Sequence, residues 1–226
     1  MIELNNNNRY TVGNVRGFGK FLYSEDCMCS QELFFNSQGF SYISPPQHAQ
    51  MTMKQKIHEM RSTRTNMDLY HVPNKDPNKS LVFLVKDGFL SRQLTKDYSQ
   101  NSVEHIVLEY KRQKDHVMSI VQQALRKGVA LKVKSGTYEI KADKFSNELT
   151  DFIFTDKSIG MNAKDYGMHM GKILKKDHIS IGLFAQSNEI EPKNTFTSRL
   201  WISPITFQVL PVEYGVGTAY GIQSKR

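Results

Sequence analysis

Apolar residues along this chain fall mostly in short runs bounded by turn residues, the texture of strands, and only twice recur at helical spacing. From Lys20 to Tyr42 the pattern predicts strands at Phe21–Tyr23, Leu33–Phe35 and Phe40–Tyr42, separated by Ser24-Glu25-Asp26 and by Asn36-Ser37-Gln38-Gly39. Pro45-Pro46 stops the last of these. A helix near 52–64 follows, with Thr52 as its cap and Met53, Ile57 and Met60 at i, i+4, i+7. Strands are expected at Met67–Val72, Ser80–Lys86 and Glu104–Lys111, with a turn at Asp87-Gly88. The clearest helix spans 115–127: Val117, Ile120, Val121, Ala124 and Leu125 share one face, Asp115 is the expected cap and Gly128 the stop. Val129–Lys134 alternates apolar and lysine. Tyr138–Ile140, Phe152–Phe154, Ile179–Ala185, Arg199–Ile202 and Thr206–Leu210 read as further strands. Residues 1–20 are polar, with Gly13, Gly17 and Gly19 spaced as in an arm. The expectation is an α+β, mainly β, chain: an N-terminal arm over 1–20, then a single helix-decorated antiparallel β-sandwich domain over 21–226.

Composition narrows the classes. The 226 residues are 39% hydrophobic and 23% charged, enough for one domain with a sizeable core. No run reaches the roughly 18 apolar residues of a membrane-spanning helix. Met1-Ile-Glu-Leu followed by Asn5–Asn8 offers neither a basic nor an apolar leader region. Cys27 and Cys29, one residue apart, suit neither an ordinary disulfide nor a zinc site, so a reducing compartment is expected. The net charge is +8 and spread along the chain, its densest cluster being Lys172, Lys175 and Lys176. That balance permits a non-catalytic basic RNA-binding protein without requiring one.

Candidate chemistry is sparse. Glu109-Tyr110-Lys111 on a predicted strand, with helices and strands in the order around it, resembles the core of the PD-(D/E)xK metal-dependent nucleases. That chemistry needs a second carboxylate to hold a divalent metal; Asp76 is the nearest in the expected topology and Asp87 lies at the wrong end. His178-Ile179-Ser180 supplies one half of a paired HxS signature with no second copy. Leu69-Tyr70-His71 resembles the first motif of ADP-ribosyltransferases, without a downstream glutamate motif. Gly215, Gly217 and Gly221 miss the dinucleotide spacing and read as a glycine turn. No catalytic, cofactor or metal residue is assigned.

The order of segments resembles the polyhedrin of cypoviruses, the insect reovirus proteins that crystallise around virions. The similarity runs through Phe21–Asp26, the strand Leu33–Gln38, a helix ending Glu59-Met60-Arg61, the helix-to-strand passage Ile120–Ala130, Tyr166–Lys176 leading into His178–Ile181, Ser198-Arg-Leu-Trp201 and the closing Tyr220–Arg226. Residues 1–15 depart from that family in lacking an obvious N-terminal helix. The resemblance implies a viral occlusion-body structural protein of the host cell cytoplasm, its partners being further copies (trimers, then a lattice) and virions, with no membrane. It implies no required cofactor, a bound nucleotide for which no contact residue carries over, and release at the alkaline pH of an insect gut.

Overall fold

The computed structural model describes residues 3–4, 10–15, 19–54, 62–72, 74, 76, 79–89, 114–183, 196–203, 208–212 and 216–223. The fold is α+β with a mostly antiparallel sheet. Its strands are β1 (Glu3–Leu4), β2 (Tyr10–Val15), β3 (Gly19–Cys27), β4 (Phe40–Tyr42), β5 (Thr63–Val72), β6 (Leu81–Val85), β7 (Ala130–Lys134), β8 (Gly136–Lys141), β9 (His178–Leu183), β10 (Phe196–Ser203), β11 (Gln208–Val212) and β12 (Val216–Gln223). The α-helices are α1 (Met28–Ser37), α2 (Pro45–Lys54), α3 (Lys114–Arg126), α4 (Glu148–Phe154) and α5 (Ala163–Leu174). Pairing connects all the described strands in the order β1-β2-β3-β12-β5-β10-β11-β9-β8, with β4 on β12 and the pair β6-β7 attached to β5. Among the described strands only β11 with β9 and β12 with β5 pair in parallel.

The far end of this network curls around one core. Leu69 stands opposite Leu84, and Leu84 opposite Leu131; on the other branch Ile140 stands opposite Ile179. All five belong to a single cluster with Met67, Val82, Val133, Tyr138, Ile181, Leu200 and Ile202. Strands β7 and β8 are therefore neighbours in the core although neither pairs with the other. Ser135 is the one residue between them. Its N–H donates to the Ser80 carbonyl at 2.8 Å and its hydroxyl donates to the Leu183 carbonyl at 3.0 Å, tying β6 to β9 across the seam. Ser135→Ala should cost about 1 kcal/mol through the lost side-chain bond. A urea midpoint shift is the measurement; an unchanged midpoint would show the seam to be held by the core alone.

Helices α4 and α5 close that core with Leu149, Ile153, Phe154, Tyr166 and Met170, and α2 adds Ala49. The other face of β5 and β6 carries Tyr70, Phe83 and Val85, which α3 covers with Val117, Ile120, Val121 and Ala124. β6 is thus buried on both faces, which is why Leu81–Val85 is a continuous apolar run. In the near half, Val15, Tyr23, Ile43, Met51 and Tyr220 form one small cluster and Leu22, Phe35, Tyr42 and Ala219 another. Gly221 lets α1 approach β12: a Cβ there would lie 2.9 Å from the Phe35 ring. Of the segment 1–20 read as an arm, Glu3–Leu4, Tyr10–Val15 and Gly19–Lys20 lie in the sheet, so the described part of it is not an arm apart from the fold.

Several expected elements are corrected. Leu33–Phe35 is helix, part of α1, with Gln31 and Phe35 buried at i, i+4. Of the helix expected near 52–64, 52–54 lie in α2, which already begins at Pro45, Thr63 and Arg64 are strand, and 55–61 lie outside the described residues. Proline suits the first helical turn, whose N–H groups have no acceptor within the helix. Phe152–Phe154 belongs to α4, started by a capping box in which the Asn147 side chain accepts from the Leu149 and Thr150 N–H groups. The polyhedrin resemblance sets Tyr166–Lys176 against an aromatic, His-containing strand of that family, whereas Tyr166–Leu174 is helix here. The helix expected over 115–127 is α3, and Gly128 follows it at φ 69°. Glu104–Lys111 lies outside the described residues.

Candidate functional site

The most distinctive surface is a lysine-rich corner where α5 meets the end of β8. Asn162 starts α5, its side-chain oxygen accepting the Asp165 N–H at 2.8 Å. Tyr166 and Met170 then point into the core, and Gly167 and Gly171, on the same flank, admit the turn after β8. A Cβ on Gly167 would lie 2.2 Å from Phe145 Cβ, and one on Gly171 would lie 2.6 Å from Ala142 Cβ. The helix ends at Lys175 in a left-handed conformation (φ 52°). The Lys176 N–H returns to the Gly171 carbonyl at 3.1 Å, and the Ala142 N–H reaches the Asp177 carbonyl at 2.8 Å. In the adjoining strands Lys141 is the register partner of His178. Residues 141–144 and 172–178, remote in sequence, are thereby held side by side.

The exposed residues of this corner are Lys141, Asp143, Lys144, Lys172, Lys175, Lys176, Asp177 and His178, five lysines against two aspartates. Beside them on α5, Met168 is 51% and Ile173 39% exposed; with Val12 at 40% they are the exposed large hydrophobics among the described residues. His169, half-buried on the same helix, has its pKa lowered first by burial and then by the charge of Lys172.

Of the residues singled out in the sequence, Glu109 and Lys111 lie outside the described residues. Asp76 sits in the connection after β5, paired at 3.5 Å with Lys79. His71 is buried on β5, its pKa lowered by desolvation. His178 opens β9 at the surface and Ser180, half-buried, faces Glu139 across β8. Gly217 and Gly221 are in strand β12 rather than in the glycine turn expected there, and Gly215 lies outside the described residues. Cys27 closes β3 and Cys29 lies in α1. Among the described residues no group of three His, Cys, Asp or Glu is placed to hold a metal, and no helix is long and apolar enough to cross a membrane.

Sequence reasoning marked Lys172, Lys175 and Lys176 but not Lys141 and Lys144, which only the packing of Gly167 and Gly171 brings to them. The Gly-x-x-x-Gly spacing was the available signal. It marks one face of a helix only once the segment is known to be helical.

No family model matches the chain. No curated protein matches it either. A solved structure described as "Accommodation of massive sequence variation in Nanoarchaeota by the C-type lectin fold" is similar over 94% of this chain and 97% of that one, with a TM-score of 0.47 and 9% identity. At that level the similarity carries no argument here.

Proposed function

We propose that this chain works by assembly rather than by catalysis, as the matrix protein of a viral occlusion body. In this reading the subunit is a helix-decorated β-sandwich whose N-terminal strands β1 and β2, paired within its own sheet, meet neighbouring copies. It forms trimers and then a lattice around virions in the host cytoplasm. The observation that carries the reading is the placement of the exposed apolar side chains. Single exposed apolar residues are ordinary on a protein surface. Here Val12 stands in the N-terminal segment, while Met168 and Ile173 stand on α5. Used as contacts, two unlike regions would allow head-to-tail association that continues, where a single self-complementary one would stop at a dimer. The helical state of Leu33–Ser37 and of Tyr166–Leu174 weighs against the segment-by-segment resemblance that first suggested this reading.

Expression of the chain alone, followed by light microscopy, tests it: dense intracellular particles are expected, and a wholly soluble product would overturn it. Washed particles should dissolve between about pH 10 and 11, where tyrosines ionise and lysines lose their charge. The +8 net charge then turns negative and contacts repel. Burial holds the Tyr166 hydroxyl protonated above its usual range, an effect the neighbouring Thr52 side chain partly offsets. The folded pKa is raised, so this contribution to stability is complete below about pH 10 and declines above it by about 1.4 kcal/mol per pH unit. Tyr166→Phe should therefore raise the alkaline unfolding midpoint followed by circular dichroism, without moving the pH of dissolution. If both midpoints move together, particles dissolve because the subunit unfolds.

A further inference from the structure

We propose that the corner formed by Lys141, Lys144, Lys172, Lys175 and Lys176 binds the phosphodiester backbone of a nucleic-acid duplex without regard to sequence. This goes beyond assembly and does not depend on it. The negative end of the α5 dipole gives a structural reason for Lys172 and Lys175, which sit at the helix C-terminus. It gives none for Lys141 and Lys144, which belong to β8 and the turn after it. Two segments far apart in sequence converge their lysines on one corner, which is the electrostatic footprint expected of a polyanion surface rather than of a helix cap. Among the described residues none of Lys141, Lys144, Lys172 and Lys175 forms an ion pair, so these charges face outward.

The chemistry of the corner selects the kind of polyanion. Lysines are flexible point charges suited to tracking phosphates, whereas planar bidentate recognition of single groups favours arginine. The described residues of the corner contain no arginine. Binding of single strands relies on aromatic side chains on which bases stack. The large exposed apolar residues beside the corner, Met168 and Ile173, are not aromatic, and His178 offers one small ring where stacking along a strand needs several. The surface is thus built for charge neutralisation along a backbone. Lys172 lies in the last turn of α5 and Lys175 and Lys176 follow directly after it, so one duplex backbone can meet several lysines together.

The test is fluorescence anisotropy of a labelled mixed-sequence duplex titrated with the full chain, between 50 and 200 mM salt. Neutralising about five phosphates should weaken binding by several hundred-fold over that range. Combined replacement Lys172→Gln, Lys175→Gln and Lys176→Gln should reduce the same salt effect to about tenfold. Lys141→Gln with Lys144→Gln, on the other segment, should leave about forty-fold. The second variant keeps the test decisive if the first fails to fold, as judged by circular dichroism. Lys20→Gln, in β3, should change nothing. The proposal is overturned by a salt effect below about fourfold in the parent chain, or by one that both lysine variants leave unchanged. Tighter binding of polyglutamate than of duplex at equal salt would also overturn it and point to an acidic protein partner.

Discussion

Phe154→Ala is expected to lower the unfolding free energy by about 3–5 kcal/mol, the largest effect of a single substitution foreseen in this fold. The ring is fully buried at the end of α4, 5.5 Å from the Phe145 ring and 5.0 Å from that of Tyr166. It fills the junction of α4, α5 and the turn after β8, so truncation leaves a cavity bounded by two further aromatic rings that are themselves fixed by packing. Collapse is hindered, which puts the cost at the high end for aromatic truncations. Thermal unfolding should show a decrease of roughly 6–20 °C for a chain of this size. A decrease under about 3 °C would mean that α4 is not part of the cooperative core.

Gly167→Ala follows, with a sign opposite to that expected from local preference. In the interior of a helix, alanine is favoured over glycine by about 1 kcal/mol. Here the added methyl would lie 2.2 Å from Phe145 Cβ and 2.9 Å from the Ala142 carbonyl oxygen. One of these is backbone, so relief requires α5 to move away from the turn, and a loss of about 3 kcal/mol is expected. Gly39→Ala is the contrast: a Cβ there meets nothing within 4 Å, and its φ of 73° alone carries the cost. Chemical denaturation of both variants measures the difference; stabilisation by Gly167→Ala would contradict the close approach of α5 to residues 142–145.

What could be read from the sequence was whatever a single element states about itself. The face of α3, from Val117 to Ala124, is local, and so are its glycine stop at Gly128 and the Asp87-Gly88 turn, whose two residues both have φ 57°. β5, β6, β7 and β9 were placed to within a few residues, because branched and aromatic runs bounded by turns leave few other states. The errors fall on short aromatic runs. Leu33-Phe34-Phe35 and Phe152-Ile153-Phe154 each look like a strand over three residues, and periodicity does not separate the two states at that length. The signals that decide lie outside the runs: Gln31 four residues before Phe35, and Asn147 with Thr150 before Ile153. Pro45 does follow the end of β4, as a strand stop should, and the same residue also begins α2. The lysine corner was half legible for a further reason. A cluster within one segment is visible as a string, whereas Lys141 and Lys144 join it only through tertiary packing.

The position of β12 bears on how this chain comes to be folded during synthesis. The strand lies between β3 and β5, pairing with β3 from Val216–Cys27 to Ile222–Phe21 and with β5 through Ala219 and Arg64. The Tyr220 N–H donates to the Thr63 hydroxyl at 3.0 Å, and the Tyr220 carbonyl accepts the Ile43 N–H at 2.9 Å. Residues near 20 and near 64 are therefore joined across a strand that leaves the ribosome some 150 residues later. A nascent chain halted before Val216 holds two partial sheets, each presenting an open edge where β12 belongs, and such edges template pairing with other chains. Contacts of this sequence separation also slow folding once synthesis is complete. Premature termination ahead of β12 is thus a route to aggregation, and supplying 216–223 as a separate peptide offers a way to complete the sheet in trans.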